Sequence, residues 1–309
     1  MRSNRLFQVT GLLAAGLITV TGLTACADNS KSEGGGSGGS ASSTVSVGAV
    51  SKDSALAAKV PGDIASKGTL TVGTDPTYAP NEYKDDSGKI VGFDVDLFDA
   101  VAAKLGLKAS YTESTFDNII PGIQGGKYQV GVSSFTDNSE REQIVDFVTY
   151  FSAGTQWAQK AGGSIDPDNA CGKNVAVQTG TVQDTDDLPA RSKACTDAGK
   201  PAINVKRFDD QGLATNAVVS GQADAMLADS PIAAYAVKQS NGALALVGKV
   251  YDSAPYGYAI GKDEGTLKDA VQGAVNALIG DGTYGKILAK WGLQDGGITE
   301  AKINAAAAS

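Results

Sequence analysis

The chain has 309 residues, with 26 Lys+Arg against 34 Asp+Glu, a net charge of −8 and no histidine. The acidic balance argues against a nucleic-acid partner. The missing histidine excludes Ser-His-Asp and Cys-His catalysis and any histidine-ligated metal. With no CxxC pair, P-loop or strand-flanked GxGxxG in the sequence, no cofactor is implied.

The first predicted element is a leader. Residues 1–25 read as a signal peptide, with Arg2 and Arg5 as the positive region and Gly11 to Val20 as the apolar stretch. That stretch is too short to span a bilayer as a helix. Leu23-Thr24-Ala25-Cys26 resembles a bacterial lipobox. The resemblance implies a diacylglyceryl group on Cys26, cleavage just before it, and a protein held outside the cytoplasm on the cell membrane. Two acyl chains anchor stably where one does not. The other reading is an ordinary signal peptide with an incidental cysteine. Residues 26–62 are then the lipidated cysteine and a flexible Gly/Ser tether. A chain of that length spans roughly 30–36 Å root-mean-square. Without Arg2 and Arg5 the mature chain is more acidic still.

Cys171 and Cys195 remain. In an oxidising compartment they are expected to form a disulfide adding on the order of 3 kcal/mol, the alternative being two free buried thiols.

The body alternates strand and helix. Thr69 to Thr74 reads as a strand, and Ile90 to Phe93 leads into a helix on which Phe93, Leu97, Val101 and Leu105 recur every four residues. Gly106 is a natural stop. Lys108 to Thr112 reads as strand, Phe116 to Gln124 as a helix complicated by Pro121, and Tyr128 to Ser133 as strand. Strands follow at Asn174 to Gln178 and Ala223 to Ala228, with helices at Leu213 to Val219, Leu267 to Leu278 and Tyr284 to Trp291. This order predicts an α/β fold with a largely parallel sheet. In open α/β sheets ligands collect beyond the carboxyl ends of strands, where Asp75, Ser134, Thr181 and Asp229 all fall.

Six stretches carry a resemblance to a known family: GTDPTYAP (73–80), GFDVDLFDAVAAKLG (92–106), FDNIIPGIQGGKYQVGVSSFTDNSEREQIVDF (116–147), VAVQTGT (175–181), GQADAMLAD (221–229) and DGTYGKILAKWG (281–292). In this order they resemble the polar amino-acid solute-binding lipoproteins of ABC importers, the glutamine and basic amino-acid group. The resemblance implies a two-lobed periplasmic-binding-protein-like fold of type II, with two parallel-rich sheets joined by two crossover strands. Lobe 1 would be 63–153 plus 257–295, lobe 2 would be 154–256, and 296–309 a C-terminal tail. The crossings would fall near Ala153–Trp157 and Ser253–Tyr256, and closure on ligand would be a hinge motion.

A free amino acid carries a carboxylate and an ammonium, and burying either is costly unless it is paired. The resemblance puts Arg141 on the carboxylate, as a bidentate donor; on the bare sequence it reads first as a surface arginine paired with Glu140 or Glu142. Ser134 and backbone N–H groups at the Gly180–Val182 turn, hence Thr181 and Val182, would assist at a predicted helix start. Ser133 is a weaker match. Asp229 would hold the ammonium, the alternative being an N-cap for the helix near Pro231. Tyr78 and Phe116 match aromatics on either side of the ligand, although core packing is the commoner fate of such residues. Asp75 matches an acid facing the ligand side chain, or is simply a turn residue before Pro76. An acid there favours glutamine, asparagine, arginine, lysine or histidine over glutamate. Gln178 stands where glutamine-binding relatives can carry lysine, Asn81 where relatives often have an aromatic, and Asn138 and Ser139 look like additions before Arg141.

The implied partners are the amino acid, an ABC permease with its ATPase subunit, and the membrane through Cys26; a monomer is expected. The rival readings are a secreted dehydratase on the same fold, with Asp75 or Asp229 as its acid or base, and a sensor for a membrane partner.

Overall fold

The computed structural model describes residues 49–306. The leader, Cys26 and most of the expected tether lie outside the described residues. The elements run α1 Ser54–Ala57, α2 Gly62–Lys67, β1 Thr69–Thr74, β2 Thr77–Tyr78, β3 Glu82–Lys84, β4 Ile90–Val91, α3 Phe93–Lys104, β5 Lys108–Glu113, α4 Phe116–Gln124, β6 Val130–Thr136, α5 Ser139–Glu142 and β7 Val145–Lys160. The chain continues through β8 Asn174–Gln178, α6 Leu188–Asp197, β9 Asn204–Phe208, α7 Gln211–Val219, β10 Ala225–Asp229, α8 Ser230–Gln239, β11 Leu244–Gly261, α9 Leu267–Gly280 and α10 Thr283–Trp291.

The main sheet has the order β5-β1-β6-β11-β7-β10-β8-β9, and β2-β3-β4 form a small antiparallel sheet beside it. Pairs β1–β5, β1–β6, β8–β10 and β8–β9 are parallel. The two longest strands, β7 and β11, run antiparallel to each other through both halves. They make the chain two-lobed: the first lobe is built on β1, β5 and β6, the second on β8, β9 and β10. The two lobe sheets join into one ladder because these strands are never interrupted. Their pairing slips between Val247 and Tyr251 and again between Tyr251 and Ala254, opposite Thr155 and Ala153.

Local sequence explains most elements. The four-residue spacing of α3 buries Phe93, Leu97 and Val101 completely, and Gly106 ends it at φ +73. Pro121 lies inside α4, where it costs one intrahelical hydrogen bond. The helix keeps an apolar stripe, Phe116, Ile119 and Ile123, against the sheet. Cys171 and Cys195 are joined by a disulfide with Cα atoms 5.6 Å apart, tying α6 to the segment before β8.

Two expected boundaries need correction. The flexible run does not extend to 62: Asp53 caps α1 through its carboxylate, and Val60 and Ile64 are buried in the first lobe's core. Asp53 N–H also donates to Lys104 O at 2.8 Å. The 296–309 segment is not a loose tail in its described part. Ala301 is buried, Ile303 bridges antiparallel to Val148, and Asn304 Oδ1 accepts from Phe147 N–H at 2.8 Å. In both cases a few apolar side chains in a small-residue segment find a groove on the finished lobe, which composition does not report.

Candidate ligand-binding site

The carboxyl ends of β1, β6, β8 and β10 converge between the lobes. There Asp75, Tyr78, Phe116, Ser134, Arg141, Gln178, Thr181, Val182 and Asp229 all line one cavity, together with Glu82, Ser133, Thr136 and Gln183. Every candidate ligand residue of the sequence reading is therefore in one place. The cavity is ≈ 10 Å³, about the volume that one water molecule needs. The lining side chains touch across the cleft, so a larger guest requires them to part.

The strand ends are shaped for this. β6 bulges against β11: Gly131 faces Ala259 and Phe135 faces Gly257, so β6 has the extra residues at Val132–Ser134. A bulge re-aims side chains, and here it turns Ser133 and Ser134 into the site. Ser134 sits at φ +51, a left-handed conformation that costs on the order of 1–2 kcal/mol. Four contacts hold it there: Ser134 N–H donates to Asp94 Oδ2 at 3.0 Å, its Oγ accepts from Asn81 Nδ2 at 2.8 Å, and its hydroxyl faces Glu82 Oε2 at 3.2 Å and Asp94 Oδ2 at 3.1 Å. Asn81, the departure from the family's aromatic, is thus a positioning residue for Ser134.

Arg141 is not paired with Glu140 or Glu142. Its Nη1 donates to Thr136 O and its Nη2 to Gly180 O in the opposite lobe, both at 2.9 Å. The guanidinium lies 5.5 Å from the Phe116 ring and 5.7 Å from that of Phe135, within cation–π range. Burial lowers its pKa, against the pull of Asp229; a guanidinium stays protonated regardless. Phe116 both lines the cavity and stacks on Phe135 at 4.5 Å, so the packing and ligand-facing readings hold together.

Asp229 occupies the N-cap position of α8, yet its side chain caps no amide. Instead Tyr78 Oη donates to Asp229 Oδ2 at 2.8 Å and Gln183 Nε2 donates to Oδ1 at 2.8 Å. Tyr256, on β11, lies beside the same carboxylate, its hydroxyl without a hydrogen-bond partner. Burial raises the Asp229 pKa, while these donors and Arg141 oppose the rise. Asp75 Oδ2 accepts from Phe116 N–H at 3.1 Å and from Gln178 Nε2 at 2.7 Å. Desolvation nevertheless pushes its carboxyl up to about 7. At the Gly180 turn one expected donor is already used: Gly180 N–H donates to Asp184 Oδ2 at 3.1 Å. Thr181 Oγ1 donates to Gln178 O at 2.8 Å.

Glu82, Thr136, Gln183 and Tyr256 escaped the sequence reading. Glu82 looks like an exposed residue of a polar hairpin, and only the packing of β3 against β6 buries it. For Tyr256 the signal is weak in principle, since an aromatic in a crossover strand reads as core. The lining acids Asp75, Glu82 and Asp229 face a single lining base, Arg141. Such a site suits a ligand with one anionic group and more than one cationic or N–H-donating group.

The model of the bacterial extracellular solute-binding proteins, family 3, matches residues 70–294. The chain belongs to that family. It is 42% identical over 251 residues to the arginine-binding protein ArgT of Corynebacterium glutamicum, covering 81% of this chain and 82% of that protein. Among solved structures it is similar to an ancestral arginine-binding protein bound to arginine, with TM-score 0.67, 38% identity, and coverage of 72% of this chain and 98% of that one. An ancestral arginine-binding protein bound to glutamine aligns with TM-score 0.67 and 37% identity over 73% and 98% of the two chains. This solute-binding protein thus sits among binding proteins rather than enzymes, and its family is extracellular.

Proposed function

We propose that this solute-binding protein captures a polar amino acid between its lobes and delivers it to an ABC importer. A side chain rich in N–H donors is favoured, with arginine first and glutamine second. The observation that carries the reading is the placement of Arg141 and Asp229 on opposite lobes, facing one cavity. A zwitterion spanning them has its carboxylate against Arg141 and Ser134 and its ammonium against Asp229. Tyr78 and Phe116 flank its stem, Thr181 and Val182 close over the carboxylate, and Gln178 with Asp75 receives the side chain. Binding both lobes at once favours the closed form differentially, as a population shift requires. ArgT, by its name, and the ancestral arginine-binding proteins, whose structures hold arginine and glutamine, support this choice of ligand.

In this reading lobe 1 comprises 53–153 plus 257–306 and lobe 2 comprises 154–256. They hinge where the β7–β11 pairing slips, and the protein acts as a monomer. Lipid on Cys26 holds it at the outer face of the cell membrane, a placement supported by the Leu23–Cys26 motif.

The test is calorimetry of the lipid-free chain, unfolded and refolded to strip carried-over ligand, against each standard amino acid. Saturable binding of arginine or glutamine, with the ligand recovered intact, is the expected outcome. Folded protein that binds no amino acid would defeat the reading.

A further inference from the structure

Beneath the cavity a second carboxyl group shares a serine hydroxyl with one that lines it. Glu82 lines the cavity, Asp94 sits behind it on α3, and both are fully buried. The two carboxyl groups meet at one hydroxyl, that of Ser134. Among the described residues neither takes part in a salt bridge.

The hydrogens available to the pair can be counted. Ser133 Oγ–H donates to Glu82 Oε1 at 3.0 Å. Ser134 has one hydroxyl hydrogen for two acceptors, Glu82 Oε2 at 3.2 Å and Asp94 Oδ2 at 3.1 Å. Asp94 Oδ2 also receives Ser134 N–H at 3.0 Å and Tyr150 Oη–H at 2.5 Å. Asp94 Oδ1 has no donor at all. The groups facing the pair from the surrounding elements are Asp75 beyond β1, Tyr78 on β2, Tyr150 on β7 and Tyr258 on β11. None is a cation. Two adjacent buried carboxylates without a cation are strongly disfavoured, and one carboxyl proton between Glu82 and Asp94 supplies both the missing donor and the missing positive charge.

We propose that the Glu82–Asp94 pair holds an exchangeable proton, which is expelled to solvent when a cationic ligand side chain enters at Asp75, joined to Glu82 through Ser133, and retained when a neutral amide side chain does. One positive charge enters as one leaves, so the buried charge is the same with either ligand. The inference rests on the amino-acid reading above and extends it: a single pocket serves basic and amide side chains by changing its own protonation. Burial, then repulsion from Asp94, pushes Glu82 well above the ordinary carboxylate range, which agrees with a proton retained on the Glu82 side of the pair near neutral pH, while burial raises Asp94 only to about 6.

The experiment is calorimetry of the whole lipid-free chain with arginine and with glutamine, at pH 7, in buffers of low and high ionisation enthalpy. The α-groups of the two ligands are the same, so the difference in protons released reports on the side chain. Arginine is expected to release up to one proton more than glutamine. Its affinity is expected to weaken by up to about tenfold per unit as pH falls, while that of glutamine stays flat. Equal proton counts for the two ligands would overturn the proposal. In Asp94→Asn the difference should collapse; if it persists, the proton resides on Asp75 and the assignment to the pair is wrong. Should that variant fail to fold, Tyr150→Phe removes a donor to the charged form and should move the pH profile for arginine upward, an unmoved profile counting against the pair. If neither amino acid binds the wild type, the underlying reading fails and this inference falls with it.

Discussion

The half of the molecule built on β1, β5 and β6 buries a large cluster in which Phe93, Phe98, Tyr150, Phe151, Tyr256 and Tyr258 pack together, and a second one of Phe116, Ile119, Ile123, Phe135 and Phe147. Both ends of the described chain add to the first, through Val60 and Ile64 at one end and Ala301 at the other. The half built on β8, β9 and β10 divides a smaller core between the two faces of its sheet: Val175, Val177 and Leu227 on one, Ala176, Ala217 and Met226 on the other. A disulfide supplements it. The contributions to the site follow the same division. The first lobe supplies Arg141, both aromatics, the serines and the carboxyl groups of Asp75 and Glu82, whereas the second supplies Asp229 and the Gln178–Gln183 turn. Recognition is concentrated on the lobe that is braced most heavily, because buried charges need partners that do not move. The second lobe acts as a clamp.

Four measurements test that division. The largest effect is expected from Arg141→Ala, which should cost about 2–5 kcal/mol of binding, whereas Asp229→Asn, which keeps the shape, should cost about 1.5–3 kcal/mol. Calorimetry decides both, and a larger loss at Asp229 would make the second lobe the platform. Replacing Cys171 and Cys195 together by serine should lower stability by about 3 kcal/mol. Hydrogen exchange should place the loss in β8 and α6 and spare β1, β5 and β6; uniform loss would mean that the lobes unfold as one unit.

Gly180 has φ +78, and a Cβ there would lie 2.9 Å from Asp117 Cβ across the cleft. Gly180→Ala should weaken binding by about 1–2 kcal/mol and leave ligand-induced compaction incomplete by small-angle scattering. Full compaction would show that the clamp tolerates the extra methyl. The smallest effect concerns pH. Burial raises the folded-state pKa of Asp75 from 3.8 to about 7, so the folded ligand-free protein keeps a proton that the unfolded chain loses. The contribution of Asp75 to stability is therefore favourable at low pH and declines as pH rises from about 4 to 7. Asp75→Asn should remove this part of the decline in denaturant titrations; an unchanged slope would mean that Asp75 is better solvated than its place implies.

Sequence alone determined the elements whose causes are local. The four-residue period and terminal Gly106 of α3, the strand of Thr69 to Thr74, and the strand ends carrying Asp75, Ser134 and Asp229 could all be read before any fold was known. The quoted motifs then assigned Arg141, Tyr78, Phe116, Gln178, Thr181 and Val182 to one cleft. Tertiary structure decided what depends on distant chain meeting in space. The carboxylate of Asp229 turns from its own helix to Tyr78, which lies 151 residues away in sequence. Glu82 becomes a fully buried acid against Asp94 only when β3 folds beneath β6, and the segment near Ala301 becomes structure only once the first lobe offers it a groove. Helix period and turn chemistry are written over a few neighbouring residues, whereas burial, and with it the charge state of a carboxyl group, belongs to the assembled molecule.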